Sequence, residues 1–113
     1  MSEPSLTEKR SWRIDEFPRI QLATIAVVRY VRKQRAAIRL VWPEEGQMLD
    51  GEWLFNEPHA DFEPLLLDMT TANALLLVRD ALKPDNQLTL DAWVAKSRGH
   101  FVGMVELAWR HVL

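Results

Sequence analysis

Cysteine is absent from this 113-residue chain. That removes disulfides, thiolate metal sites and cysteine nucleophiles together, and favours a reducing compartment, since small secreted domains often depend on disulfides. Serine is scarce: Ser2, Ser5, Ser11 and Ser97 are the only ones, and none stands in a Gly-x-Ser-x-Gly elbow. Glycine is scarcer than a phosphate-cradling loop requires, with Gly46, Gly51, Gly99 and Gly103 scattered along the chain. Long apolar runs are missing as well. The most apolar stretch, residues 20–31, is too short for a bilayer and is interrupted by Gln21, Thr24 and Arg29. Residues 1–11 are polar and mixed in charge, unlike a signal peptide. A soluble cytoplasmic protein without a membrane segment is expected.

The same scarcity leaves little chemistry. Ser97 and His100 stand three residues apart and can touch on one helix, but a small polar residue at a packing point is the plainer reading. His100 and His111 are three helical turns apart, too far to share an ion. His59, Asp61, Glu63 and Asp68 fall in one segment but lack the ligand spacing and turn glycine of a calcium loop. Nothing in the spacing singles out two carboxylates for acid–base work. No catalytic residue, no metal and no cofactor is assigned, and a non-enzymatic role is expected.

What is present suits one globular domain. Hydrophobic residues make up 48% and charged residues 27%, far from the disordered class. Residues 1–11 read as a flexible tail and 12–113 as a single domain. The net charge of −2 hides a segregation. Residues 1–42 hold nine Lys/Arg against four Asp/Glu, residues 43–91 two against eleven, and residues 92–113 three against one.

Periodicity gives an α+β fold, a short antiparallel hairpin packed against two or three helices, the last one long. Trp12, Ile14 and Phe17 alternate with charges, as in an extended segment, and Pro18 sits where a helix could begin. Residues 20–36 are read as an amphipathic helix in preference to a strand, although Ile, Val, Thr and Tyr are dense there. Residues 37–42 and 48–55 are expected to pair as the hairpin across the turn 43–47, with Gly51 a bulge. Residues 70–82 carry a helical period, closed by Lys83-Pro84. Residues 89–112 carry the strongest stripe, from Leu90 through Val94, Phe101 and Val105 to Ala108, with Thr89 as N-cap. One helix kinked at Gly99 is preferred there to two helices split at it. The expected core is Val27, Val31, Ile38, Leu40, Leu75, Val78, Leu82, Leu90, Val94, Phe101, Val105 and Ala108.

Three surfaces are candidates for binding. The first is acidic with embedded aromatics: Glu44, Glu45, Asp50, Glu52, Trp53, Glu57, Asp61 and Glu63, with Phe55 and Asp68 nearby. Carboxylates steer a basic protein partner and an aromatic supplies affinity, which suits an adaptor or inhibitor. The alternative is a nucleic-acid surface built from Arg29, Arg32, Lys33, Arg35 and Arg39 around Tyr30, against which a pI near 5.9 argues. The third is the back of the last helix, where Ala92, Ala95, Gly99 and Gly103 leave a smooth stripe flanked by Val102 and Trp109. Small residues at that spacing admit a second helix, from this chain or from a second copy across a two-fold axis.

Overall fold

Backbone pairing sorts the short apolar stretches into two three-stranded sheets. The structure is a computed structural model and describes residues 11–112, so residues 1–10 of the expected tail lie outside the described residues. The strands are β1 (Ser11–Arg13), β2 (Ile20–Leu22), β3 (Ile38–Val41), β4 (Gly46–Leu49), β5 (Glu52–Phe55) and β6 (Leu65–Leu67). The helices, among the described residues, are α1 (Ile25–Gln34), α2 (Met69–Ala81), α3 (Pro84–Lys96) and α4 (Arg98–Val112). The α+β expectation with a long last helix holds.

One sheet is antiparallel, in the order β1-β5-β4, with Trp12, Trp53 and Met48 side by side across it. The other runs β2-β3-β6, with β2 parallel and β6 antiparallel to β3. A parallel pair needs a crossover, and α1 supplies it between β2 and β3.

The hairpin is therefore not the expected one. Residues 38–41 join the second sheet, and β4 pairs with β5 inside the segment read as a single strand. The turn is Asp50-Gly51, both at positive φ (53° and 79°), as a tight two-residue connection requires. Gly51 is a turn residue and not a bulge. Pro43 to Glu45 fold into a 3-10 turn instead of a hairpin loop. The Glu45 N–H donates to the Trp42 carbonyl at 2.9 Å, and the Trp42 N–H donates to Glu45 Oε1 at 3.3 Å.

Residues 20–36 divide at Thr24. Its hydroxyl accepts from the Val27 N–H at 3.2 Å and caps α1, so the residues before it are free to form β2. Pro18 thus precedes a strand. The β-branched residues that argued for a strand, Val27, Val28 and Val31, form the buried face of the helix. Asp68 caps α2 by accepting from the Thr71 N–H at 2.9 Å. Pro84 ends one helix and opens the next, at a first-turn position where its missing N–H costs nothing. Thr89 consequently lies inside α3, its hydroxyl donating to the Asp85 carbonyl at 3.2 Å. The last stripe breaks at Ser97, two residues before Gly99, because the Ser97 hydroxyl accepts the His100 N–H at 3.1 Å and caps α4.

The larger core lies between the second sheet and the helices, with Val28, Val31, Leu40, Trp42, Leu67, Leu75, Leu76, Leu90, Val94, Phe101 and Ala108 all buried. Val78, Leu82 and Val105, expected in it, are partly buried at its margin. The Trp42 indole N–H donates to the Val94 carbonyl at 3.0 Å, which removes the main penalty of burying an indole. A smaller core joins the two sheets, where Trp53 and Phe55 pack with Ile20 and Val41, flanked by Trp12 and Ile14.

Candidate functional site

The acidic segment divides once folded. Glu45, expected at a contact surface, has 2% of its area exposed, and Arg98 meets it with two hydrogen bonds of 2.7 and 2.9 Å. The Arg98 guanidinium also lies over Trp42, 5.3 Å from the ring centre, and over Phe62 at 4.9 Å. This is a structural clasp between the 3-10 turn and the start of α4. Trp53, expected to anchor a partner, is 1% exposed and belongs to the smaller core, because the Trp53/Phe55 side of β5 faces inward. Both leave the candidate surface.

Glu44, Asp50, Asp61 and Glu63 are exposed, Glu52 is half-buried, and none of these five forms an ion pair among the described residues. Glu57 is exposed in the second 3-10 turn. Asp50 and Glu52 flank the hairpin turn. Asp15 lies beside them, in a cavity of about 280 Å³ whose walls are Arg13, Ile14, Asp15, Asp50, Gly51 and Glu52. Arg13, its one base, lies 3.3 Å from the Asp15 carboxylate. Met48 and Leu49, at the end of edge strand β4 that leads into this turn, are 42% and 52% exposed. Asp15, Met48 and Leu49 were missed by the sequence reading. An Asp-Gly turn taken at face value places the latter two on a short edge strand.

The basic cluster is dispersed. Arg39 sits on β3 and not on the helix that carries Arg29, Arg32 and Lys33, donating from Nε to the Pro18 carbonyl at 2.6 Å and from Nη2 to the Glu16 carbonyl at 3.3 Å. Its guanidinium lies 5.8 Å from the Trp12 ring centre. Arg32 approaches Asp80 at 3.8 Å. Arg29 is exposed on α1 and adds a lesser pull to the Arg79 hydrogen bonds that lower the Asp91 carboxyl. Lys33 and Arg35 are exposed at the end of α1, where Arg35 takes the left-handed conformation that closes the helix.

The small-residue stripe is split between two helices, Ala92 and Ala95 on α3, Gly99 and Gly103 on α4. Trp109 packs against the larger core. A Cβ at Gly103 would meet nothing within 4 Å, and one at Gly99 only the Ser97 hydroxyl at 3.9 Å. Ser97 Oγ lies 2.7 Å from His100 Nδ1, but its capping of α4 accounts for the contact, and the imidazole's other neighbour is the Trp93 ring at 5.7 Å.

Two apolar hollows complete the surface. One of about 450 Å³ lies between α2, α3 and α4, walled by residues including Leu75, Leu77, Leu82, Leu90, Met104 and Leu107. The other, about 480 Å³, opens between β2 and the hairpin, walled by Ile14, Ile20, Gln21, Leu22, Thr24, Val27 and Met48. Among the described residues no group of three or more metal-ligating side chains is gathered, and no helix is long and apolar enough to cross a membrane.

Compared with family models, curated proteins and solved structures, the chain matches none of them.

Proposed function

We propose that this chain is a small non-enzymatic binding protein, an adaptor or inhibitor, that engages a basic protein partner through the acidic end of its β4–β5 hairpin. One observation carries the reading: apolar Met48 and Leu49 are exposed beside Asp50 and Glu52, whose carboxylates form no ion pair among the described residues. Apolar side chains supply contact area, and unneutralised carboxylates at their rim speed association and select the sign of the partner. Support for nucleic acid as partner is weaker, since Arg39 is used inside the fold and Arg32 faces Asp80 on α2.

The test is quantitative capture from cells on immobilised wild-type protein and on Asp50→Lys/Glu52→Lys, each at low and high salt. Basic proteins enriched on the wild type at low salt should drop at least tenfold on the charge-reversed variant, and should also weaken in high salt. Equal enrichment on both proteins contradicts the proposal.

A further inference from the structure

We infer that the free edge of β2, at the mouth of the hollow beneath the hairpin, accepts an extended segment of another protein in which basic and apolar residues alternate. The inference rests on the proposed function and names the form its partner takes.

Strand β2 is an outer strand of its sheet. The Arg39 N–H donates to the Arg19 carbonyl at 2.7 Å and the Ala23 N–H to the Val41 carbonyl at 3.0 Å, bracketing the pairing with β3. Residues 19, 21 and 23 thus turn their backbone groups toward β3, and Ile20 and Leu22 turn theirs outward. The Ile20 N–H is taken by the Ile14 carbonyl at 3.0 Å. Among the described residues the N–H and carbonyl of Leu22 remain on the open edge, while Ile20 is 1% exposed. Natural edge strands are blunted by shortness, a charge or a proline. β2 is short, three residues, but carries neither charge nor proline: its sequence is Ile-Gln-Leu, and Leu22 is 40% exposed.

The hollow beside this edge fixes the chemistry of the occupant. Leu22, Val27, Ile14 and Met48 wall a space of about 480 Å³, suited to apolar side chains. Ile14 is shared with the neighbouring cavity that holds Asp15, Asp50 and Glu52 against the single base Arg13. A strand lying along β2 points alternate side chains to opposite faces, so apolar residues enter the hollow while Lys or Arg reach the carboxylates. Main-chain bonds then supply affinity and the alternating pockets supply specificity.

The test uses the full chain, labelled with nitrogen-15, and blocked heptapeptides as probes. Lys-Val-Lys-Val-Lys-Val-Lys should shift the Ile14, Leu22 and Met48 signals and slow exchange of the Leu22 amide at least tenfold. N-methylation of its valines or of its lysines removes the N–H groups of one edge at a time. One of these two analogues should bind at least tenfold more weakly and the other as before. If both bind alike, or if a Lys-Gly heptapeptide disturbs Asp50 and Glu52 equally while Leu22 exchange is unchanged, strand addition is wrong and the acidic surface stands. If no basic peptide disturbs Asp50 or Glu52, the proposed function fails and takes the inference with it. A Leu22 amide already protected in a dimer of the protein alone would assign the edge to a second copy and overturn the inference.

Discussion

Replacing Arg98 by alanine removes the only counter-charge, among the described residues, of a carboxylate buried to 2% exposure. Glu45 loses hydrogen bonds of 2.7 and 2.9 Å and retains the Trp42 N–H at 3.3 Å. Breaking a buried pair in this way costs about 3–5 kcal/mol, chiefly because a charge is left without a partner or water. Arg98 is itself about one-fifth exposed, so the lower end applies; loss of its stacking on Trp42 and Phe62 adds about 1 kcal/mol. The expected loss is about 3–4 kcal/mol, a large share of the roughly 5–15 kcal/mol that holds a domain folded. Urea unfolding followed by fluorescence of the five tryptophans measures it. A second background separates charge from packing. Glu45→Gln keeps an acceptor for the Trp42 N–H and leaves no buried anion, so Arg98→Ala on that background should cost only about 1–2 kcal/mol. Equal costs on the two backgrounds, or a loss under about 1 kcal/mol on the native one, would show that the clasp carries no uncompensated charge and refute this reasoning.

Hydrogen bonds from Arg79 hold the Asp91 carboxyl below its ordinary value of 3.8, against the opposing effect of burial. A depressed folded value means that the stabilisation is complete above the unfolded value and lost as pH falls through the folded one. Asp91→Asn should therefore cost about 1–2 kcal/mol near neutral pH, and that gap should close in urea titrations below about pH 4; a gap constant down to pH 2 contradicts it. Gly46→Ala places a Cβ against the Leu54 carbonyl in the paired backbone of β5 and should lose more than about 2 kcal/mol, with circular dichroism reporting damage to the sheet. Gly103→Ala enters open space inside α4 and should raise stability by about 0.5–1 kcal/mol in the same assay. Ser97→Ala removes the α4 cap and should cost about 1 kcal/mol in urea, with no such cost for Ser97→Asp, which caps as well.

Sequence periodicity reports an element well when cap and apolar stripe agree, as in α2, expected at 70–82 and found at Met69–Ala81. It fails where a side chain changes the direction of the backbone. The stripe from Leu90 to Ala108 keeps its phase across Ser97 because α3 and α4 both face the larger core, so phase alone conceals the cap that separates them. Pro43 and Gly46 resemble a hairpin turn, yet Glu45 folds back onto Trp42, and the turn moves to Asp50-Gly51. Val27, Val28 and Val31 obey the core and not their β-propensity. At the candidate site, alternation puts Trp53 and Phe55 on one side of a strand, but which side is inward depends on Ile20 and Val41, strands away in sequence. The Glu45–Arg98 pair spans 53 residues and leaves no local signal.

Charge segregation along the chain overstates the charge available for binding, and the fold shows by how much. Of the acids after position 42, Glu45 is taken by Arg98, Asp80 faces Arg32, Asp91 is held by Arg79, and Asp68 caps α2. Among the described residues two of these contacts join one block to another, Arg32 with Asp80 and Arg98 with Glu45, since Arg79 lies in the acidic block itself and Asp68 meets a backbone N–H. Asp50 and Glu52 form no ion pair among the described residues: Arg13 stands opposite Glu52 on β1 but reaches Asp15, and the hairpin packs its inner face on Ile20 and Val41. Their carboxylates cost little while water solvates them, and they bring no internal stabilisation that would be lost to a partner. Neutralising them by an incoming Lys or Arg therefore breaks no existing ion pair, whereas recruiting Arg32 to a phosphate would first cost its contact with Asp80. That asymmetry favours the proposed contact at the hairpin end over one along α1.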